Sequence, residues 1–206
     1  MYTRNETRRI MVRNIPIGGG APVTVQSMTS TDTRDVAGTL DQIRRLAEAG
    51  CDIVRVAVQN EDAAASLKAI RLETDVPLVA DIHFDHRLAI MAVEAGVDKL
   101  RINPGNIGST TRVREVAQAA KAKGIPIRVG VNSGSLKKEM LDRFGRPSPE
   151  ALVESAIEQV DALDDLGFPD VCVSIKSSSV METVDAYRLF AEKRPPFAAL
   201  TATATS

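Results

Sequence analysis

Basic side chains stand within four segments that have the pattern of buried β-strands. The segments are DIVRVAV with Arg55, KLRINPGNIG with Arg101, IRVGVNSGSL with Arg128 and VSIKSS with Lys176. A charge among apolar neighbours costs free energy unless an anion or an acidic side chain meets it. Arginine matches phosphate oxygens through two parallel donors, and lysine adds a point charge. We therefore predict a site that binds a diphosphate or a bisphosphate.

Polar side chains share one face of each predicted strand. Side chains alternate between the two faces of a strand, so residues two positions apart lie on the same side. Leu100 and Ile102 form an apolar face toward the helices, whereas Arg101 and Asn103 form the opposite face. The same parity predicts that the polar residues of all the strands meet inside a barrel, near the carboxyl ends of its strands. The expected set is Arg55, Asp81, His83, Arg101, Asn103, Arg128, Asn132, Ser174 and Lys176.

Two members of this set are candidates for proton transfer, and the other seven are the predicted substrate-binding residues. Asp81 and His83 supply a carboxylate and an imidazole, the usual groups of general acid–base catalysis. Asp81 has an alternative role, in which it only orients Arg55 or Arg101, and His83 has an alternative role as a hydrogen-bonded core residue. The sequence contains no metal-ligand spacing and no Gly-rich dinucleotide motif, so we predict no metal ligands.

A repeated strand–helix unit has to position these residues. Four glycines, Gly50, Gly96, Gly124 and Gly167, follow helical patterns and precede Val- and Ile-rich runs, as left-handed helix caps do. Strict alternation indicates an α/β fold with a parallel sheet. Polar residues at the ends of nearly all strands favour a (β/α)8 TIM-type barrel over a flavodoxin-like open sheet. The predicted strands cover about 23–27, 53–58, 78–83, 98–103, 126–131 and 171–176, and the predicted helices about 35–49, 61–72, 85–95, 110–123, 149–166 and 180–192.

Only six strand–helix units are visible in the pattern, whereas a TIM-type barrel has eight. We therefore expect an incomplete barrel, with residues 1–193 as a partial barrel domain. The double proline and the Ala- and Thr-rich run that follow lack the length and pattern of a buried strand. Residues 194–206 are predicted to be a non-native or disordered tail, as a shifted reading frame would produce. The long segment 133–150 is a predicted lid, with a solvated surface loop as the alternative.

The composition of the chain indicates which classes of binding partner are disfavoured. The 206 residues have a net charge of -1 and only 3% aromatic residues, which disfavours a basic nucleic-acid surface and a base-stacking platform. No apolar run approaches the roughly 18 residues that a membrane span needs. Cys51 and Cys172 lie in no CxxC pattern and are typical of buried thiols. We expect a cytoplasmic protein that binds neither nucleic acid nor membrane.

Six motifs occur in a fixed order: VQSMTSTDTRD, DIVRVAV, LVADIHFD, KLRINPGNIG, IRVGVNSGSL and VSIKSS. Their order and spacing, over roughly residues 5–193, resemble the N-terminal barrel of the 4-hydroxy-3-methylbut-2-enyl diphosphate synthases. These enzymes are iron–sulfur oxidoreductases of the non-mevalonate pathway of isoprenoid (terpenoid) biosynthesis. The resemblance implies a reductive conversion of 2-C-methyl-D-erythritol 2,4-cyclodiphosphate to 4-hydroxy-3-methylbut-2-enyl diphosphate. It also implies ferredoxin or flavodoxin as the electron donor.

The resemblance further implies features that lie outside these motifs. In the family, a C-terminal domain holds a 4Fe–4S cluster on three cysteines and a glutamate. The cluster of one subunit caps the barrel of the other in a homodimer. Cys51 and Cys172 match none of the cluster ligands, so the ligands and the iron–sulfur domain are expected to be missing from this chain. We expect a fragment that binds the diphosphate but is inactive alone, with a diphosphate grip of Arg55, Arg101, Arg128 and Lys176.

Two other hypotheses stay open at this point. A redox-free barrel enzyme would be a phosphosugar aldolase with Lys176 as a Schiff base, or an isomerase that uses Asp81 and His83. A non-catalytic module would bind a phosphometabolite or pair with a separately encoded cluster domain. Borohydride trapping of an adduct on Lys176 would identify the aldolase, and co-purification with a cluster domain would favour the module.

Overall fold

The computed structural model describes residues 6–194 and 199–200. An antiparallel hairpin of β1 (Ile10–Val12) and β2 (Ile15–Ile17) precedes a parallel sheet whose strands follow one another in sequence order. This order is that of an α/β barrel opened along one side. The sheet consists of β3 (Gln26–Met28), β4 (Ile53–Ala57), β5 (Leu78–Asp81), β6 (Lys99–Ile102), β7 (Ile127–Asn132), β8 (Val171–Lys176) and β9 (Ala199–Leu200).

Helices connect the strands, and their ends follow local sequence signals. Asn60 and Ser148 each accept a backbone N–H of the first turn of the helix they begin, as N-cap residues do. The four glycines predicted as left-handed caps all have positive φ, between 64° and 89°. No helix among the described residues is long and apolar enough to cross a membrane. The helices are α1 (Val36–Glu48), α2 (Glu61–Leu72), α3 (His86–Ala95), α4 (Pro104–Ile107), α5 (Thr110–Ala122), α6 (Lys138–Phe144), α7 (Pro149–Asp164) and α8 (Val180–Lys193).

The sheet buries both of its faces. The outer face packs against the helices in one large apolar cluster, to which Val54, Leu78 and Leu100 contribute. The inner face carries a second, smaller cluster in which the hairpin packs on the barrel interior. This inner cluster lies near the amino ends of the strands, so the hairpin closes the end of the interior opposite the predicted site. Its buried members are Ile10, Val12, Ile17, Ile53, Val79 and Cys172.

The predicted fold class is confirmed, with differences at the two ends of the chain. The first strand of the sheet begins at Gln26 rather than at residue 23, and the hairpin was not predicted. The prediction of no strand beyond residue 193 is wrong at one point, because Ala199–Leu200 pair with Cys172 and Val173 of β8. The rest of the predicted tail, 195–198 and 201–206, lies outside the described residues, and the boundary at residue 193 stays a prediction.

The predicted lid is partly helical. A 3₁₀ turn at Ser133–Ser135 precedes α6, and Met140 of α6 buries its side chain. A closing motion of this segment stays a prediction.

Candidate anion-binding site

A cavity of about 200 Å³ lies where the parallel strands end. Five successive strands, β4 to β8, or the residues that follow them, provide its walls. The parallel register explains why they meet, since Asp81 lies beside Arg101, Arg101 beside Arg128, and Asn132 beside Lys176. Gly130 and eight of the nine residues predicted from the sequence line the cavity, namely Arg55, Asp81, His83, Arg101, Arg128, Asn132, Ser174 and Lys176.

Asn103 is the predicted site residue that the cavity does not include. Its Oδ1 accepts the backbone N–H of Gly105 at 3.0 Å and caps the start of α4. Strand β6 ends at Ile102, so Asn103 lies just beyond its strand, as His83 lies beyond the end of β5. The predicted contact of Asn103 with a substrate stays a prediction.

Asp81 is the carboxylate at the centre of the cavity wall, and it is 3% exposed. Arg101 Nη1 donates to Asp81 Oδ1 at 3.1 Å, and Arg55 Nε lies 3.5 Å from Asp81 Oδ2. His83 Nε2 is 3.7 Å from the same Oδ2, with half of the His83 side chain exposed. The geometry thus favours the orienting role of Asp81 and contradicts the core alternative for His83. Proton transfer by these two residues stays a prediction.

Arg128 lies deeper in the cavity and is 4% exposed. Its Nη2 donates to Ser174 Oγ of the neighbouring strand at 2.6 Å. Burial lowers the pKa of Arg128, and burial also lowers the pKa of Arg55 against the attraction of Asp81. Arginine starts far above neutral pH, so both guanidiniums stay charged. A bound anion would therefore offset the cost of burying these charges.

The lining of the cavity carries an excess of positive charge. Three arginines and Lys176 face one carboxylate, which gives a charge of about +3 when His83 is neutral. Lys176 is exposed at the rim, whereas the arginines lie deeper. Cations held this close repel one another, and a polyvalent anion is the simplest chemical species that matches them.

The sequence analysis missed a further cation inside the barrel. Lys99 is 1% exposed, and its Nζ donates to Gln26 Oε1 of β3 at 3.1 Å. Burial lowers the pKa of Lys99 to about 8. Its parity is that of Arg101, so the pattern that indicated Arg101 also applies to Lys99, which stands deeper in the barrel because it begins the strand.

The iron–sulfur cluster implied by the resemblance does not fit the described residues. No group of three or more His, Cys, Asp or Glu side chains among them could hold a metal ion. Cys51 Sγ lies 3.1 Å from the carbonyl oxygen of Ile53, and burial raises the pKa of this thiol. Cys172 is buried in the inner apolar cluster. Neither thiol faces the cavity, so the described residues offer no ligand set for such a cluster.

The strand order, the outer helices and the polar cavity at the strand ends define the chain as an incomplete TIM-type α/β barrel. Solved structures share this fold. The chain matches 7,8-dihydropteroate synthase from Vibrio fischeri with a TM-score of 0.60 and 14% identity, over 91% of this chain and 73% of that one. It matches a truncated 3-deoxy-D-arabino-heptulosonate 7-phosphate synthase from Thermotoga maritima with a TM-score of 0.64 and 13% identity, over 95% and 68%. Matches at such low sequence identity show that the fold is shared and nothing more.

Residues 7–200 match the model of the GcpE TIM-barrel domain, and the chain belongs to this family. Relatives named 4-hydroxy-3-methylbut-2-en-1-yl diphosphate synthase (flavodoxin) include one from Acidithiobacillus ferrooxidans, 57% identical over 92% of this chain and 52% of its own. Another, from Nitratidesulfovibrio vulgaris, is 58% identical over 92% of this chain and 49% of its own. The family predicted from the six motifs is confirmed. The chain spans about half the length of the curated relatives it matches.

Proposed function

We propose that this chain is the substrate-binding barrel of a 4-hydroxy-3-methylbut-2-en-1-yl diphosphate synthase of isoprenoid biosynthesis. In this proposal the cavity binds the diphosphate of 2-C-methyl-D-erythritol 2,4-cyclodiphosphate. The observation that carries the proposal is the meeting of three arginines and Lys176, from four strands, in one cavity. The names of the relatives support it, since they specify a diphosphate product.

The arginines are held in place before any ligand arrives. Asp81 fixes Arg55 and Arg101, and Ser174 fixes Arg128. A ligand that meets prearranged donors loses less free energy to the ordering of side chains. The two-pronged guanidinium geometry suits adjacent phosphate oxygens, and Lys176 can close over them from the rim. Asn132 and Ser174 add neutral hydrogen-bonding groups to the same wall.

The electrons of the proposed reaction come from outside the described residues. The names of the relatives point to flavodoxin as the donor, with ferredoxin as the alternative. A 4Fe–4S cluster, a homodimer and a cytoplasmic location belong to the same proposal, and no step through the cluster is assigned to the residues of this chain. We expect binding of the cyclodiphosphate without turnover by this chain alone.

The geometry gives less support to an aldolase that uses Lys176. A Schiff-base lysine is activated by burial in an apolar pocket or by close cationic neighbours. Lys176 is exposed at the rim of the cavity, so burial does not activate it.

Calorimetric titration of the cyclodiphosphate into the 206-residue chain tests the proposal. Arg101→Met should weaken binding about 10- to 100-fold, because a charge-assisted hydrogen bond contributes about 1.5–3 kcal/mol. The matched control is Arg44→Met, which removes an exposed guanidinium of α1 and should leave the affinity unchanged. Absence of binding by the unmodified chain, or equal losses in the two variants, would overturn the proposal. Product formation by this chain alone, under anaerobic conditions with added reductant, would overturn the expectation of inactivity.

A further inference from the structure

Lys99 lies inside the curled sheet, beneath the cavity. It precedes Arg101 by two residues on the same face of β6, and its side chain is 1% exposed. The bond from its Nζ to Gln26 Oε1 joins β6 to β3. Because β4 and β5 lie between these two strands in the sheet, the bond crosses the interior of the barrel.

Lys99 lies between an apolar cluster at the amino end of the barrel interior and the polar cavity at the other end. The apolar cluster of the hairpin fills the amino end of the interior and contacts Val79, the register partner of Lys99. The cavity with its arginines lies toward the other end. A lysine in such a place lowers stability relative to an apolar residue of similar size, since an ammonium loses its hydration when it is buried. Its bond to Gln26 is to a neutral acceptor, whereas an anion in the cavity would supply an opposite charge.

The charged and titratable groups around Lys99 come from three strands. Arg55 of β4 and Arg128 of β7 repel the positive charge of Lys99 and lower its pKa. The Cys172 thiol of β8 raises the same pKa. The facing residue of β3 is the neutral Gln26, and that of β5 is the apolar Val79. Within residues 6–194 no carboxylate forms an ion pair with Lys99. Burial is the largest cause of its lowered pKa, and the two arginines add to it.

We propose that Lys99 is a buried amine beneath the cavity, and that its unprotonated fraction takes up protons from solvent when a polyvalent phosphate binds to the arginines above it. This inference rests on the proposed function of the cavity. An anion in the cavity favours the ammonium form, because it supplies the opposite charge that Lys99 lacks in the empty protein. The step moves only protons, from buffer to Nζ, and leaves Lys99 fully charged in the complex.

Proton uptake can be measured by titrating inorganic pyrophosphate into the chain in two buffers of different ionisation enthalpy. The comparison is between the unmodified chain and Lys99→Met, because the ionisation of pyrophosphate itself is common to both. A group with a pKa of about 8 is half protonated at pH 8, so the difference should be about half a proton there. At pH 6.5 it should fall to about zero. The affinity of Lys99→Met for pyrophosphate should be about tenfold lower.

Two control measurements accompany this comparison. Lys68→Met removes an exposed lysine of α2 and should change neither the proton count nor the affinity. Sulfate does not titrate between pH 6.5 and pH 8, so sulfate binding to the unmodified chain should show the same rise in proton uptake without any variant.

The outcomes separate this inference from the function on which it depends. Two results would overturn the role of Lys99 while leaving the proposed function intact. One is pyrophosphate binding with equal proton counts in the unmodified chain and in Lys99→Met. The other is sulfate binding with no proton uptake at pH 8. Failure of the unmodified chain to bind pyrophosphate would overturn both the proposed function and this inference. A difference that appears at pH 8 and vanishes at pH 6.5 supports the inference.

Discussion

The guanidinium of Arg101 lies against the backbone of Gly130. A Cβ at Gly130 would stand 3.0 Å from Arg101 Nε and 3.1 Å from Arg101 Nη2. Gly130 is in the middle of β7, between Arg128 and Asn132 on the same face of the sheet. The glycine is therefore needed for the close approach of a side chain from the neighbouring strand, and not for an unusual backbone conformation.

Gly130→Ala should weaken pyrophosphate binding about 5- to 20-fold, an effect of about 1–2 kcal/mol. The added methyl group pushes Arg101 away from its place beside Asp81, while the apolar outer face of β7 is untouched. Titration calorimetry measures the loss. Gly134→Ala is the matched control, since a Cβ there meets nothing within 4 Å. Equal affinities of the two variants would contradict the role assigned to the close approach.

Asp81→Asn should lower the free energy of unfolding by about 2–4 kcal/mol at pH 7, because it leaves two partly buried guanidiniums without their carboxylate. Sulfate should stabilise this variant more than it stabilises the unmodified chain, since an anion in the cavity can replace the lost charge. Urea unfolding with and without sulfate measures both effects. Asp41→Asn, which removes an exposed carboxylate of α1, should leave stability nearly unchanged. A similar small effect of both substitutions would show that Asp81 is not the central anchor of the cavity.

Lys99 should make stability depend on pH in the alkaline range. Its pKa is about 8 in the folded chain and 10.5 in an ordinary environment, so the unfolded chain binds the proton more tightly between these values. Unfolding therefore takes up a proton there, and the contribution of Lys99 to the free energy of unfolding rises as the pH increases. Lys99→Met should be more stable than the unmodified chain by about 3 kcal/mol at pH 7, and this gap should shrink to about 1 kcal/mol by pH 10. Urea unfolding at a series of pH values tests this, and a gap that stays constant would contradict it.

The hairpin should stabilise the barrel through one face only. Ile10 is 2% exposed in the inner cluster, whereas Met11 on the opposite face is 45% exposed. Ile10→Ala should lower the free energy of unfolding by about 2–4 kcal/mol, because it opens a cavity beneath the sheet. Met11→Ala should change it by less than about 0.5 kcal/mol. Equal effects of the two substitutions in urea unfolding would mean that the hairpin does not close the interior.

Local patterns were sufficient to predict most of the site. Strand–helix alternation predicted the parallel sheet, and the period of two predicted that the side chains of Arg55, Arg101 and Arg128 share a face. Parallel register then brings that face together at one end of the sheet. Asn103 lies one residue beyond the end of β6 and caps α4, and its place in the site stays a prediction.

Features that depend on contacts between distant parts of the chain could not be predicted in this way. The hairpin strands have only three residues each, too few for a clear period, and their partners lie across the barrel interior. The bond between Lys99 and Gln26 exists because the sheet curls, and no local pattern shows curvature. The pairing of β9 with β8 relies on backbone hydrogen bonds in a run whose side chains gave no strand signal.

A crystal structure of the chain with bound pyrophosphate is the most direct measurement of the central claim, that these cations form one anion site. The predicted result is a single pyrophosphate in the cavity, with oxygens within about 3 Å of guanidinium nitrogens of Arg101 and Arg128 and of Lys176 Nζ. Pyrophosphate bound elsewhere, or an empty cavity whose arginines are each paired with their own carboxylate, would contradict it.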